Sequence, residues 1–353
     1  MLVIPYLEFE PQIGSNVTAE DWVAIIGRAE IGAGCYFGKL ATVRADGEYI
    51  RIGSECWFGD FSTVHIADVI YGTRVGTSVT VGRYGLVHAC TIGDHCVIGE
   101  NAVVMDGSVV GPGAAIAAES VVPPGKTLDG GWIYAGIPAR PVEQISPARL
   151  AELHESIRNR AVIDNAEVIR ARAPVGEFLR QPGTGVRDFE SDQTYIAPTA
   201  SIAGNLKMGA HSSIWFAVEI DAEGGTVELG EATNVQDSTR IHLEAGETMR
   251  LGRRVTVGHN VRMHACEVED EAIIGMGSVV GKGTIVRKGG VVAAGAVTAP
   301  GTEVAAGTIW SGNPARRSRL LSEQNAKFFS IGVDVYKGYT VNFRAAQKAG
   351  QEG

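Results

Sequence analysis

Aliphatic residues recur at every sixth position over long stretches of this chain. The first run reads Val75, Val81, Val87, then Ile92, Ile98, Val104, Val110, Ile116 and Val122, with one five-residue step between Val87 and Ile92. The second reads Leu251, Val257, Met263, then Val268, Ile274, Val280, Val286 and Val292, with the same short step in the same place. A helix repeats its apolar face every 3.6 residues and a half-buried strand every two. A period of six with one inward aliphatic fits neither. It is the pattern of a solenoid whose short parallel strands turn a corner every six residues, three faces making a coil of about 18 residues. The aliphatics then stack inward from coil to coil, and small residues take the corners. Successive coils are expected at the inter-strand spacing of ~4.8 Å.

The pattern also repeats at long range. Ile31, Phe37, Ile52, Phe58 and Val64 correspond to Met208, Ile214, Leu229, Val235 and Ile241 at an offset of 177, which becomes 176 from Val75 and Leu251 onward. Gly136-Ile-Pro-Ala-Arg140 answers Gly312-Asn-Pro-Ala-Arg316. The chain therefore reads as two copies of one solenoid. A helical pattern follows each copy. Ser146-Pro147 makes an N-cap and first-turn pair before Leu150, Leu153 and Ile157, and Ser322 opens a similar stretch through Phe328 and Phe329. The predicted organisation is a first copy with its helix over 1–164, a linker over 165–192 and a second copy with its helix over 193–353.

Histidines fall at informative places on this frame. His242 follows inward Ile241 and His264 follows inward Met263, so both point outward. Their separation is one coil plus a four-residue insertion within the polar segment Leu243–Arg250, which puts them on one face of adjacent coils. Two imidazoles so placed can share a metal. His259 lies two residues past Val257, near a corner, and is expected on a different side of the prism. It suits completion of a site on a neighbouring prism, so the spacing predicts a metal at an interface between solenoids. In the first copy His65 and His88 form the equivalent pair, while Arg83 stands where His259 does. A guanidinium cannot ligate a cation. His95, His154 and His211 read as surface residues. Glu244, in the inserted loop, reads as a solvated carboxylate.

The segment Val255-Thr-Val-Gly-His259-Asn-Val-Arg-Met-His264-Ala-Cys266, preceded by Asn234-Val-Gln236-Asp237-Ser-Thr-Arg-Ile-His242, resembles the γ-class carbonic anhydrase signature. The resemblance extends over nearly the whole chain, once per copy. It implies a mainly β fold of two left-handed parallel β-helix domains built on hexapeptide repeats, each followed by a C-terminal α-helix, and assembly as a homotrimer. It further implies a zinc ion, with iron or cobalt as the alternatives, held by two histidines of one subunit and one of the next. The activity implied is that of a metal-dependent lyase, in which a metal hydroxide attacks carbon dioxide or another small carbonyl to give bicarbonate. On this resemblance the metal ligands are His242, His259 and His264, with His65 and His88 as the alternative pair. Gln236 would hydrogen-bond the bound hydroxide or bicarbonate, and Asp237 would support a buried ion pair with an arginine. The second copy has Asp221 where that arginine belongs. The first copy keeps Arg44 and Asp46 but has Gly59 in place of the glutamine. Neither copy holds a full set. If a first-copy prism packs beside a second-copy prism, Arg44 serves across the interface and His259 completes either pair.

Composition narrows the remaining classes. Glycine is abundant, 46 of 353 residues, about twice the usual ~7%, and the corners account for it. A net charge of −9 opposes binding to nucleic acid or an acidic membrane, because both select cationic faces. No run of 18 apolar residues suggests a membrane span, and the N-terminal residues lack a basic, apolar leader pattern. Five cysteines without a CxxC pair read as reduced thiols in a cytoplasmic setting. Two other functions share the repeat. One is a hexapeptide acyltransferase, against which stands the absence of a basic cluster for a coenzyme's phosphates. The other is a noncatalytic metal-binding scaffold.

Overall fold

The structure, a computed structural model, describes the chain except for residues 69, 172–184, 190–191 and 353, together with the side chains of 160–171 and 347–352. It divides into two compact units, Met1–Val175 and Gly176–Gly353. Each unit is a parallel β-helix closed by a hairpin and a helix.

In the first unit three ladders of inward side chains run through the prism. One runs Phe37, Phe58, Val81, Ile98, Ile116, Tyr134, another Ile52, Val75, Ile92, Val110, and the third Val43, Val64, Val87, Val104, Val122. These residues form one continuous buried core. The rings of Phe37 and Phe58 stack with centroids 4.9 Å apart at 5°, as identical side chains on in-register parallel strands must. The second unit repeats the design with Ile214, Val235, Val257, Ile274, Val292 and with Leu229, Leu251, Val268, Val286, Val304. Both units end in an antiparallel hairpin, Trp132–Ala135 with Arg140–Gln144 and Thr308–Ser311 with Arg316–Leu320. The register irregularity falls at the same place in each. The six-residue period and the duplication are therefore both present as read.

The corners differ from expectation. Glycine takes many of them, but Glu55, Ser78, His95, Arg254 and Glu271 also sit at φ between 56° and 63°. Each accepts the cost of a left-handed conformation, roughly 1–2 kcal/mol for an L residue, because its N–H is bonded to the corner below. Glu55 donates to the Ala33 carbonyl at 2.9 Å, Ser78 to Ser54 at 2.8 Å and His95 to Thr77 at 2.9 Å. Stacking holds the corner shape, so glycine is not obligatory there.

The helices α1 (Pro147–Ala171) and α2 (Glu323–Glu352) start where the sequence places their caps. The Ser146 hydroxyl accepts from the Arg149 N–H and the Ser322 hydroxyl from the Asn325 N–H, each at 3.2 Å. α1 runs through 165–171 and Arg187–Asp188 pairs with Leu206–Lys207, so the ends of the expected linker are regular structure. Its middle lies outside the described residues. His154, expected as a surface residue, instead fixes α1 to its solenoid. Its Nδ1 is 2.7 Å from the Thr80 hydroxyl and its Nε2 3.2 Å from the His95 carbonyl. Desolvation is the main cause that lowers its pKa. α2 is held by an aromatic cluster in which buried Trp215 meets Tyr336, Tyr339 and Phe343 edge-on. Among the described residues no helix is long and apolar enough to cross a membrane.

Candidate metal centre

Arg44, His65 and His88 occupy three consecutive rungs in register. Each follows an inward valine, so strand alternation turns each outward onto the same stripe. The long strand Thr42–Ile52 also carries Asp46, two residues past Arg44 and on the same side. The Arg44 guanidinium pairs with Asp46 Oδ2, both side chains completely buried. The other Asp46 oxygen lies 3.0 Å from His65 Nε2. Across the rung, His65 Nδ1 faces His88 Nε2 at 3.2 Å. Beyond it, His88 Nδ1 is 2.6 Å from Asp106 Oδ1. The Thr73 hydroxyl donates to the His65 carbonyl.

This wiring has a chemical consequence. A carboxylate can only accept, so Asp46 selects the N–H on His65 Nε2 and Asp106 the N–H on His88 Nδ1. The two inner nitrogens then face each other with their lone pairs, an arrangement relieved by a shared cation. A tetrahedral zinc with Zn–N of about 2.0–2.1 Å requires nitrogens ~3.3 Å apart, and the pair stands at 3.2 Å. The donor set fits a zinc ion.

The second copy places Asp221, His242 and His264 on three consecutive rungs, as the spacing predicts. Here the contacts differ. Asp221 Oδ2 is 3.0 Å from His242 Nδ1, the nitrogen that in His65 faces its partner ring. The rings sit 6.0 Å apart at 85°, against 5.1 Å and 60° for the first pair. The His242 side chain is 55% exposed, whereas that of His65 is 3% exposed. Glu244, on the inserted loop, is ion-paired with Lys282 at 2.7 Å.

His259 is completely buried near the corner between its two strands. Its Nδ1 lies 3.1 Å from Asp237 Oδ2, and its Nε2 is 3.5 Å from the Tyr336 hydroxyl of α2. The other Asp237 oxygen accepts from the Phe216 N–H at 2.9 Å. The Gln236 amide donates to Asn234 Oδ1 at 3.0 Å. In the first copy, Arg83 is ion-paired with Glu100 at 2.9 Å, and Asp60 accepts from the Lys39 N–H. Arg44 is also held within its own copy by Asp46, and Asp237 has His259 beside it. All five cysteines are free and buried, and burial drives the Cys96 thiol up to about 11 and that of Cys266 to about 12.

Asp106 and Tyr336 were not singled out from sequence. Asp106 lies one coil after His88, so coil arithmetic was enough to find it. Tyr336 reaches His259 through helix docking, which no local pattern announces.

Residues 89–124 match the family model described as bacterial transferase hexapeptide, six repeats. The carbonic anhydrase of Geobacillus kaustophilus is 39% identical over 133 residues, covering 38% of this chain and 73% of that protein. The mitochondrial gamma carbonic anhydrase 3 of Arabidopsis thaliana is 47% identical over 148 residues, 40% of this chain and 57% of that protein. A solved structure from Desulfovibrio desulfuricans G20 covers 92% of this chain and 72% of its own, with a TM-score of 0.52 at 12% identity, a likeness of fold. The chain belongs to the γ-class carbonic anhydrase family. It spans about half the length of the Arabidopsis relatives it matches.

Proposed function

We propose that this chain is a zinc-dependent lyase that interconverts carbon dioxide and bicarbonate. In this reading His65 and His88 of a first-copy solenoid, with His259 of a second-copy solenoid, hold the metal at the interface where the two kinds of copy meet. The carrying observation is the 3.2 Å approach of His65 Nδ1 and His88 Nε2 with both outer nitrogens anchored by carboxylates. The residues each copy retains support the same choice. The first copy has Arg44, Asp46 and the anchored pair. The second has Gln236, Asp237 and His259, whose Nδ1 contact with Asp237 leaves Nε2 as its ligand atom. Together they make one complete set per chain.

When bound, zinc supplies the Lewis acidity that makes water a nucleophile at neutral pH. The chain's own residues do the rest. Asp46 and Asp106 keep the first pair in the tautomer that presents lone pairs, and Asp237 sets a carboxylate 3.1 Å from His259 Nδ1. Arg44 keeps Asp46 ionised in a buried setting, and the Gln236 amide is the polar group suited to orienting a small carboxylate product. The assembly belongs to this reading as an oligomer of solenoids, three chains being the expected number, and the buried free thiols support a reducing, cytoplasmic compartment.

Zinc analysis of anaerobically purified full-length protein, with a carbon dioxide hydration assay, tests the reading. One zinc per chain is expected. The His65→Ala/His88→Ala variant should lose metal and activity, and His242→Ala/His264→Ala should keep both. The opposite pattern assigns the metal to His242, His259 and His264. Acetyl-coenzyme A-dependent acyl transfer that survives chelation would favour the transferase reading.

A further inference from the structure

We propose that Asp106 is the positioning residue that fits the first histidine pair for a metal, and that its replacement by Lys282 is what closes the second pair to one. The inference rests on the function proposed above and goes beyond its ligand set.

Asp106 and Lys282 occupy the same place in their two solenoids. Gly107, after Asp106, donates its N–H to the Ala89 carbonyl at 2.8 Å, and the Asp106 carbonyl accepts from Gly125 at 2.8 Å. Gly283, after Lys282, donates to Ala265 at 2.7 Å, and the Lys282 carbonyl accepts from Gly301 at 2.8 Å. Ala89 and Ala265 are the residues that follow His88 and His264. Each side chain therefore springs from the corner pinned directly beyond the second histidine of its pair.

At that corner the two residues do opposite things. Asp106 Oδ1 reaches His88 Nδ1 at 2.6 Å. Because a carboxylate cannot donate, Nδ1 must carry the hydrogen and Nε2 the lone pair that faces His65. Lys282 can only donate. It cannot select that tautomer in His264, and it is occupied with Glu244 and Glu247, each at 2.7 Å. At the other end of the stack the wiring is also reversed. Asp46 takes the outer nitrogen of His65, whereas Asp221 takes Nδ1 of His242. The first pair has a carboxylate behind each ring, whereas the second has one behind His242 and a lysine at the corner beyond His264. A hydrogen-bond acceptor behind a ligand histidine is typically worth 10–100-fold in metal affinity.

The test measures zinc affinity of the full-length protein by chelator competition. Asp106→Ala should weaken zinc binding 10–100-fold, Asp106→Glu should recover most of it, and Asp106→Lys should bind no stoichiometric zinc. Long-range ¹H–¹⁵N spectra of metal-free protein should show His88 as the Nδ1–H tautomer in wild type, with that preference lost in Asp106→Ala. A purely structural role would lower thermal stability without moving the tautomer. If His65→Ala/His88→Ala abolishes zinc binding while Asp106→Ala leaves affinity and tautomer unchanged, the positioning role is overturned and the function stands. If His65→Ala/His88→Ala still binds zinc normally, the function proposed for that pair fails first.

Discussion

Arg44 and Asp46 form an ion pair with no solvent exposure on either side chain. Breaking such a pair leaves a buried charge without its partner, which costs about 3–5 kcal/mol. Arg44→Ala is therefore expected to lower the unfolding free energy by that order in urea denaturation, and to disturb His65, which shares Asp46. The cysteines make a second prediction at this scale. Burial raises Cys96 to about 11 and Cys266 to about 12, from 9.0 in an exposed thiol. Below pH 9 both thiols are neutral folded or unfolded, and their contribution is fully present. Above pH 9 the unfolded chain ionises first, so stability is lost as pH rises toward 11–12. Urea titrations at pH 8.5 and 10.5 should show the decline, and Cys266→Ala should flatten part of it.

At the scale of elements, the solenoid depends on coils approaching closely at their corners. A Cβ on Gly53 would stand 2.6 Å from the Gly76 carbonyl oxygen, and one on Gly32 would meet Gly53 at 2.5 Å. The obstacle is backbone of the next coil, which cannot rotate away. Gly53→Ala should cost about 1–3 kcal/mol through overpacking, read as a fall in the melting temperature with the six-residue register retained. The six-residue period, the shortened step after Val87 and Met263 and the helix caps at Ser146 and Ser322 were all legible in the sequence, because each is a local, repeating demand on one residue type. The left-handed corners at Glu55 and Ser78 were not. Their conformation is set by hydrogen bonds to the coil below, and nothing in glutamate or serine alone calls for it.

At the scale of the whole molecule, the duplication lets the copies diverge. One carries the anchored histidine pair, and the other carries His259 with Gln236 and Asp237. With a single His259 per chain, three-histidine sites cannot exceed one per chain, which sets the stoichiometry. A metal bound only by the folded state stabilises it in proportion to RT ln(1 + [L]/Kd). Chelation should therefore lower the thermal midpoint of wild type and leave that of His65→Ala/His88→Ala unchanged, as read by scanning calorimetry with and without EDTA. A chelator effect of equal size on both proteins would show that the metal sits elsewhere.

The sequence by itself determined the solenoid, its duplication, the two stacked histidine pairs and the corner position of His259. These follow from a periodicity that converts residue number directly into face and rung. It placed His65 over His88 and His242 over His264 equally well, and the family resemblance put His242 and His264 first with His65 and His88 as the alternative. What tells the two pairs apart is tertiary: which ring nitrogen each carboxylate reaches, how far the rings stand apart, and how deeply each pair is buried. Such quantities depend on side-chain rotation and on contacts between coils, and a repeat fixes neither.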